Sequence, residues 1–247
     1  MNLAMKQDRL PPVNLAWTGG WDSTFRLLQL LLIEKRHAQP HYIIRAESST
    51  GQEIDAMNRI RRELFRRFPE ARHLLMPTCF VDVRWLDYPD EMISECERIR
   101  RSGKLNEQYP LLAWYCKKSG ITDIEVCINR NEVVALKAID SSDLFEALRS
   151  PLVQFDKQET RDVSYGSGWQ SIMQYTVFCR NPKKGAPCGL CGPCFDAVTM
   201  GFGGRLPLFR RMIAYVQVPF RRWYRRNRNT MSPKSKKAIL RIMKGRF

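Results

Sequence analysis

Acidic side chains are missing from the end of the chain: Gly201 to Phe247 contains no Asp or Glu, yet holds 14 of the 41 Lys and Arg. The other 27 cations face all 25 acids, so residues 1–200 are close to neutral and the formal charge of +16 belongs to the last fifth. The chain has a basic tail; it is not basic throughout. Glycine and proline are sparse at 14 each in 247 residues, which excludes collagen-like and linker-dominated chains. Histidine is scarcer still. His37, His41 and His73 all lie early, and none stands beside a nucleophile, which argues against a Cys–His hydrolase. Long apolar runs are absent too. Leu27 to Ile33 is the greasiest stretch, and Gln29 interrupts it, far short of the ~20 residues of a spanning helix. Met1 to Asp8 has no apolar core of the length a signal peptide needs. The expectation is a cytoplasmic protein with no transmembrane segment and reduced thiols, so the eight cysteines read as metal ligands or free thiols.

What is present is an ordinary globular composition, 44% hydrophobic and 27% charged. Val13 to Trp17 reads as a short buried strand broken by Gly19-Gly20, and Asp22 to Arg36 as a Leu-rich helix. His41 to Ala46 is a second strand. Ile54, Met57, Ile60, Leu64 and Phe68 recur at three to four residues, a helix with one apolar stripe. Cys79 to Val83 is a third strand, Leu111 to Lys118 a helix stopped by Gly120, and Asp123 to Ile128 a fourth strand. Strands alternating with helices predict an α/β fold, a parallel sheet with helices on both faces. Ligands of such sheets bind beyond the carboxyl ends of the strands. The first strand ends at Trp17-Thr18.

The loop there reads Trp17-Thr18-Gly19-Gly20-Trp21-Asp22-Ser23-Thr24. Two glycines let the backbone turn tightly and approach a bulky anion. Thr18, Ser23 and Thr24 offer hydroxyls, and the following helix offers free N–H groups and its positive dipole end. Together they predict an anion pocket, most naturally for phosphates. Asp22 stands where it can cap the helix or help hold magnesium. The loop has neither the Gly-Lys-Ser/Thr of a Walker loop nor the third glycine of a dinucleotide fingerprint.

A second motif is Cys179, then Cys188-Gly189-Leu190-Cys191-Gly192-Pro193-Cys194. Two residues between thiolates let both reach one metal, and glycines permit the knuckle turn. Four sulfurs close a tetrahedral shell, so the site is expected to be structural. Zinc is favoured, and an iron–sulfur cluster stays open. Cys79, Cys96, Cys116 and Cys127 are scattered; Cys79 and Cys127 fall in apolar strand candidates and are expected in the core.

The loop string resembles the Ser-Gly-Gly-x-Asp-Ser signature of the PP-loop ATP pyrophosphatases, with Thr18 in place of the first serine. Loop and cysteine spacing together resemble the 7-cyano-7-deazaguanine synthases. Glu53-Ile54-Asp55-Ala56 is similar to the start of that family's second helix, and Pro151-Leu152 with Lys157 to the segment before its zinc site. The likeness covers roughly residues 12–200. It implies a Rossmann-like PP-loop (HUP) domain over 1–200, with a zinc-binding subregion at 179–194 and a basic extension at 201–247. It implies that Trp17 to Thr24 bind ATP and its magnesium, with Asp22, Ser23 and Lys157 catalytic and Lys157 on the α-phosphate side. The implied activity is a carbon–nitrogen ligase of queuosine biosynthesis. It adenylates a small carboxylate and uses ammonia to convert 7-carboxy-7-deazaguanine to the nitrile. Where that family carries a Tyr-Pro-Asp-Cys type string, this chain reads Asn129-Arg130-Asn131-Glu132-Val133-Val134-Ala135-Leu136. A related enzyme acting on another acid, an RNA or a protein therefore remains a second expectation.

The family ends soon after its zinc site, so the likeness says nothing of the tail. Arg205 to Arg246 interleaves cations with aromatics, as in Arg221-Arg222-Trp223-Tyr224-Arg225-Arg226. That composition suits nucleic acid, an anionic membrane surface, an acidic partner or a solvated extension. The oligomeric state is open, a homodimer included.

Overall fold

The structure is a computed structural model that describes residues 10–45, 47–102, 106, 108–132, 135, 137, 142–227, 230–232, 234, 235 and 239, with backbone alone at 99–102, 131 and 225. Met1 to Asp8, Ala46, Val133, Val134, Leu136 and the tail cations Lys236, Lys237, Arg241, Lys244 and Arg246 lie outside the described residues. Two compact units divide the chain, Met1–Thr176 and Val177–Phe247. Charge draws a boundary at 200/201 and contacts draw one at 176/177, so the four cysteines group with the basic stretch.

The first unit is an α/β fold. Strands β1 (Val13–Ala16), β2 (Ala38–Ile44), β3 (Cys79–Asp82), β4 (Ile124–Glu125) and β5 (Leu148–Arg149) form one sheet in the order β3-β2-β1-β4-β5. Every pairing is parallel: Leu15 aligns with both Pro40 and Glu125, His41 with Cys79, and Ile124 with Leu148. The connections are helices α1 (Trp21–Leu28), α2 (Thr50–Arg67), α3 (Ala71–Leu74), α4 (Asp90–Ser102) and α5 (Gln108–Ser119), with α6 (Lys157–Gly166) and α7 (Gln170–Met173) after β5. The chain leaves β1 toward β2 and β3, then returns to β4 on the other side. The crevice of such a sheet therefore opens between the carboxyl ends of β1 and β4.

Packing follows the sequence pattern. Trp21, Ser23, Thr24, Phe25, Arg26, Leu27 and Leu28 are all buried, so α1 is enclosed nearly all round. Its helix departs from the expected single run to Arg36: residues Gln29–Ile33 widen into a π turn, and Lys35 then reverses at φ +52°. On α2 the buried side chains are Ala56, Met57, Ile60 and Leu64, the expected stripe. Leu112, Ala113 and Cys116 of α5 pack on Ile124, Val126 and Ile128 with Phe145 and Leu148. A buried His41 ties three elements together: its Nε2 donates to Asn14 Oδ1 and its Nδ1 accepts from Tyr115, both at 3.0 Å, an orientation fixed by Asn14 Nδ2 donating to Asp123 O. Arg26 binds Glu125 through Nε at 2.7 Å and Nη2 at 2.9 Å, and also binds Glu34, so one buried cation joins α1 to β4.

The second unit holds α8 (Gly192–Thr199), a single 3-10 turn at Gly203–Arg205, and α9 (Leu208–Asn227). Residues 208–227, read from sequence as tail, are thus a helix of 20 residues.

Candidate functional site

The glycine loop sits at the crevice. Gly19 adopts φ +66°, and a Cβ there would meet Glu53 O at 3.0 Å, Met57 Cγ at 3.2 Å and Ala56 Cβ at 3.3 Å. The first turns of α2 therefore press on the loop, and only glycine combines that φ with that closeness. Gly20, in extended conformation, is the N-cap of α1, and no side chain caps the helix. Asp22 is the second helical residue and does not cap, contrary to one sequence expectation. The N–H groups of residues 21–23 precede the first intrahelical bond, which runs from Thr24 N to Gly20 O at 3.0 Å.

The hydroxyls and indoles of the loop divide. Trp17 donates its Nε1–H to Thr24 Oγ1 at 3.1 Å, and both residues are fully buried. Trp21 donates to Thr160 Oγ1 on α6 at 3.0 Å. Ser23 Oγ lies 3.4 Å from both Thr18 N and Gly20 O, folding the loop over the helix start. Trp17, Trp21 and Thr24 thus brace the loop.

Two more strand ends deliver side chains to Asp22. Lys157, the first residue of α6 after β5, puts Nζ 3.7 Å from Asp22 Oδ2. Its position is set by Asp156, which accepts from Gln158 N and Glu159 N while Glu159 accepts from Asp156 N, a complete capping box. Arg130 clamps this turn: it donates its N–H to Phe155 O at 2.9 Å and pairs with Glu159 at 2.9 Å and Asp156 at 3.2 Å. Asn129, fully buried just past β4, faces Asp22 as well. Burial raises the Asp22 pKa above 3.8, against the opposing charge of Lys157 and the hydrogen bonding of Asn129. Asp22 Oδ1 is enclosed with no hydrogen bond of normal length and angle. Such an oxygen is an unsatisfied ligand atom of the kind a hard cation takes. Burial, and after it the charge of Asp22, pushes the Cys127 thiol well up; burial, Glu132 and in smaller part Asp22 do the same to Tyr109. Both stay protonated near neutral pH. The arrangement, with helical N–H groups ahead of the first intrahelical bond, a glycine cradle, a lysine and a half-buried carboxylate, can bind an anion and hold a cation or proton beside it.

Sequence reasoning brought Asp22, Ser23 and Lys157 to one place but did not single out Asn129, Cys127 or Tyr109 as neighbours of Asp22. The signal for Asn129 was available: a polar residue directly after an apolar strand whose end faces the glycine loop.

The second unit contains the four-cysteine cluster. The Sγ atoms of Cys179, Cys188, Cys191 and Cys194 all lie within 4.8 Å of one another. Cys188–Cys194 and Cys191–Cys179 are 3.9 Å apart and Cys191–Cys194 3.4 Å. Thiolates about 2.3 Å from a tetrahedral metal lie about 3.8 Å apart, so the four sulfurs form a site that fits a metal ion such as zinc. Cys188 N donates to Cys179 Sγ at 3.2 Å and Leu190 N to Cys188 Sγ at 3.4 Å, the bonds a knuckle gives its thiolates. Gly189 makes the knuckle at φ +73°, and a Cβ there would lie 2.5 Å from Arg210 O. Cys79, Cys96, Cys116 and Cys127 form no disulfide and are not members of this cluster; Cys79 is exposed on the edge strand β3 and Cys127 half-buried, so neither is the core residue expected from its strand position.

Compared with known proteins, the chain matches no family model and no curated sequence. Among the described residues, no helix is long and apolar enough to cross a membrane.

Proposed function

We propose that the first unit is an ATP-dependent carbon–nitrogen ligase of the PP-loop type, acting on a small carboxylate with ammonia. The supporting observation is the meeting of Asp22 and Lys157, delivered by two different strand ends to the glycine loop at the sheet's switch point. A carboxylate is a poor electrophile, and adenylation gives it a leaving group. In the proposed reaction a substrate oxygen attacks the α-phosphorus of ATP and pyrophosphate departs. Ammonia then displaces AMP to form an amide and gives up a proton. A second adenylation, on the amide oxygen, and loss of AMP with two N–H protons leaves the nitrile. The backbone N–H groups of 19–23 would hold the departing pyrophosphate, and Lys157 would offset charge on the α-phosphate. Magnesium bound through Asp22 would neutralise phosphate charge, and its double charge would keep that half-buried carboxylate ionised. The four cysteines would hold structural zinc, since a closed sulfur shell has no open position for substrate.

The acceptor we infer is 7-carboxy-7-deazaguanine. Incubation with ATP, magnesium, ammonium and that acid should yield the nitrile by mass, with product abolished in Asp22→Ala. A second reading keeps the adenylyl chemistry and changes the acceptor. It rests on Asn129 and Arg130, which follow β4 where the synthases carry a Tyr-Pro-Asp-Cys type string, and on Arg130 being spent on clamping the Lys157 turn. AMP and pyrophosphate released only on addition of tRNA or a protein would favour it. ATP bound without turnover, whatever the acceptor, would sink both. Zinc near one per chain, without iron or visible absorption, is the expected metal analysis.

A further inference from the structure

Helix α9 has two faces, and the fold of the second unit accounts for only one. On the inner face Ala214, Arg221 and Tyr224 are buried. Arg221 donates to Leu190 O on the cysteine knuckle, and its guanidinium lies 5.7 Å over the Phe195 ring of α8. On the outer face Leu208, Phe209, Met212, Val216, Phe220 and Trp223 recur at helical spacing and form one stripe about 120° wide. These side chains are in the open: Val216 is 79% exposed, Leu208 70%, Phe209 68% and Met212 60%. Phe220 and Trp223 stack on each other with ring centroids 5.9 Å apart, extending the stripe toward the helix end. A contiguous apolar strip of this length marks a surface that meets something.

Charge says what. Arg222 and Arg226 are exposed on the same helix, and no acid occurs anywhere from Gly201 to Phe247. The occupant must accept a broad apolar stripe and supply negative charge beside it. Nucleic acid supplies the charge and stacking partners for the aromatics, yet offers no bed for Leu208, Met212 and Val216. A second copy of the helix would bring like charge. The boundary of an anionic phospholipid leaflet supplies both at once. Acyl chains would take the aliphatic and phenyl groups, headgroup phosphates the arginines, and Trp223 and the half-exposed Tyr215 would sit at the level between. At 20 residues the helix is about 30 Å long, room to lie flat in the interface. We propose that α9 is an in-plane anchor that docks this protein on anionic membrane surfaces, with the cysteine knuckle as the rigid base that holds its apolar face outward.

The test is flotation of the full chain with vesicles of phosphatidylcholine alone and with added phosphatidylglycerol. Binding is expected on the order of tenfold tighter or more to the anionic vesicles, and falling with salt. Met212→Asp with Val216→Asp should weaken it by more than about tenfold, and Arg222→Gln with Arg226→Gln should remove most of the preference for anionic lipid. All four side chains are exposed, so metal content and circular dichroism should stay unchanged in both variants. Vesicles should also blue-shift the part of the tryptophan emission that Trp223→Phe removes. A full chain that binds no vesicle, or binds as well with two aspartates in the stripe, overturns the proposal. So does binding of an RNA oligonucleotide, or of a second copy, without any vesicle binding.

Discussion

Replacing Gly19 by alanine tests the cradle, and Gly120 supplies the control. Both residues have a left-handed backbone, φ +66° and +67°. A Cβ in that region costs about 1–2 kcal/mol, and the stiffer unfolded chain returns about 0.4–1 kcal/mol. Gly120 ends α5, and nothing lies within 4 Å of an added Cβ there. Gly120→Ala should therefore cost about 1 kcal/mol. At Gly19 the new methyl also meets the carbonyl of Glu53, which is backbone, and Met57 and Ala56, which are buried. Overpacking of that kind adds about 1–3 kcal/mol. Urea unfolding of the two variants should place Gly19→Ala lower by that difference. Turnover of ATP should fail in Gly19→Ala and persist in Gly120→Ala. Equal stabilities for the two variants would refute the claim that α2 presses on the loop.

Other outcomes follow from the same contacts. Cys191→Ser, or a strong chelator, should lower metal content and the thermal midpoint of the second unit together; unchanged metal content refutes the four-sulfur site. Arg26→Ala leaves Glu125 buried without its cation and should cost about 3–5 kcal/mol in urea unfolding, while Arg26→Met with Glu125→Leu should cost much less. Burial lowers the His41 pKa from 6.5, so the folded chain holds it neutral while the unfolded chain takes up a proton first as pH falls. Its contribution is complete above about 6.5 and declines below it, so the urea midpoint should drop with acid and His41→Gln should flatten that slope.

The parallel sheet was legible because its first four strands are short apolar runs separated by helices with clear stripes. β5 was not, since two residues, Leu148 and Arg149, carry no period. The π turn at Gln29–Ile33 escaped for a different reason: Leu30 and Leu31 are apolar under either helical pitch. The loop and the cysteine knuckle announce themselves because their chemistry is local in sequence. Lys157 and Asn129 reach Asp22 through the sheet order, and that order is set by tertiary pairing. The C-terminal stretch was read by its charge, which hid a helix whose apolar residues recur every three to four positions.

The most direct measurement is a crystal structure of the protein soaked with magnesium and a non-hydrolysable ATP analogue. The account predicts phosphate density against the backbone of Gly19 to Ser23, the metal on Asp22 and Lys157 at the α-phosphate. An analogue bound elsewhere, with this cradle empty, would contradict it.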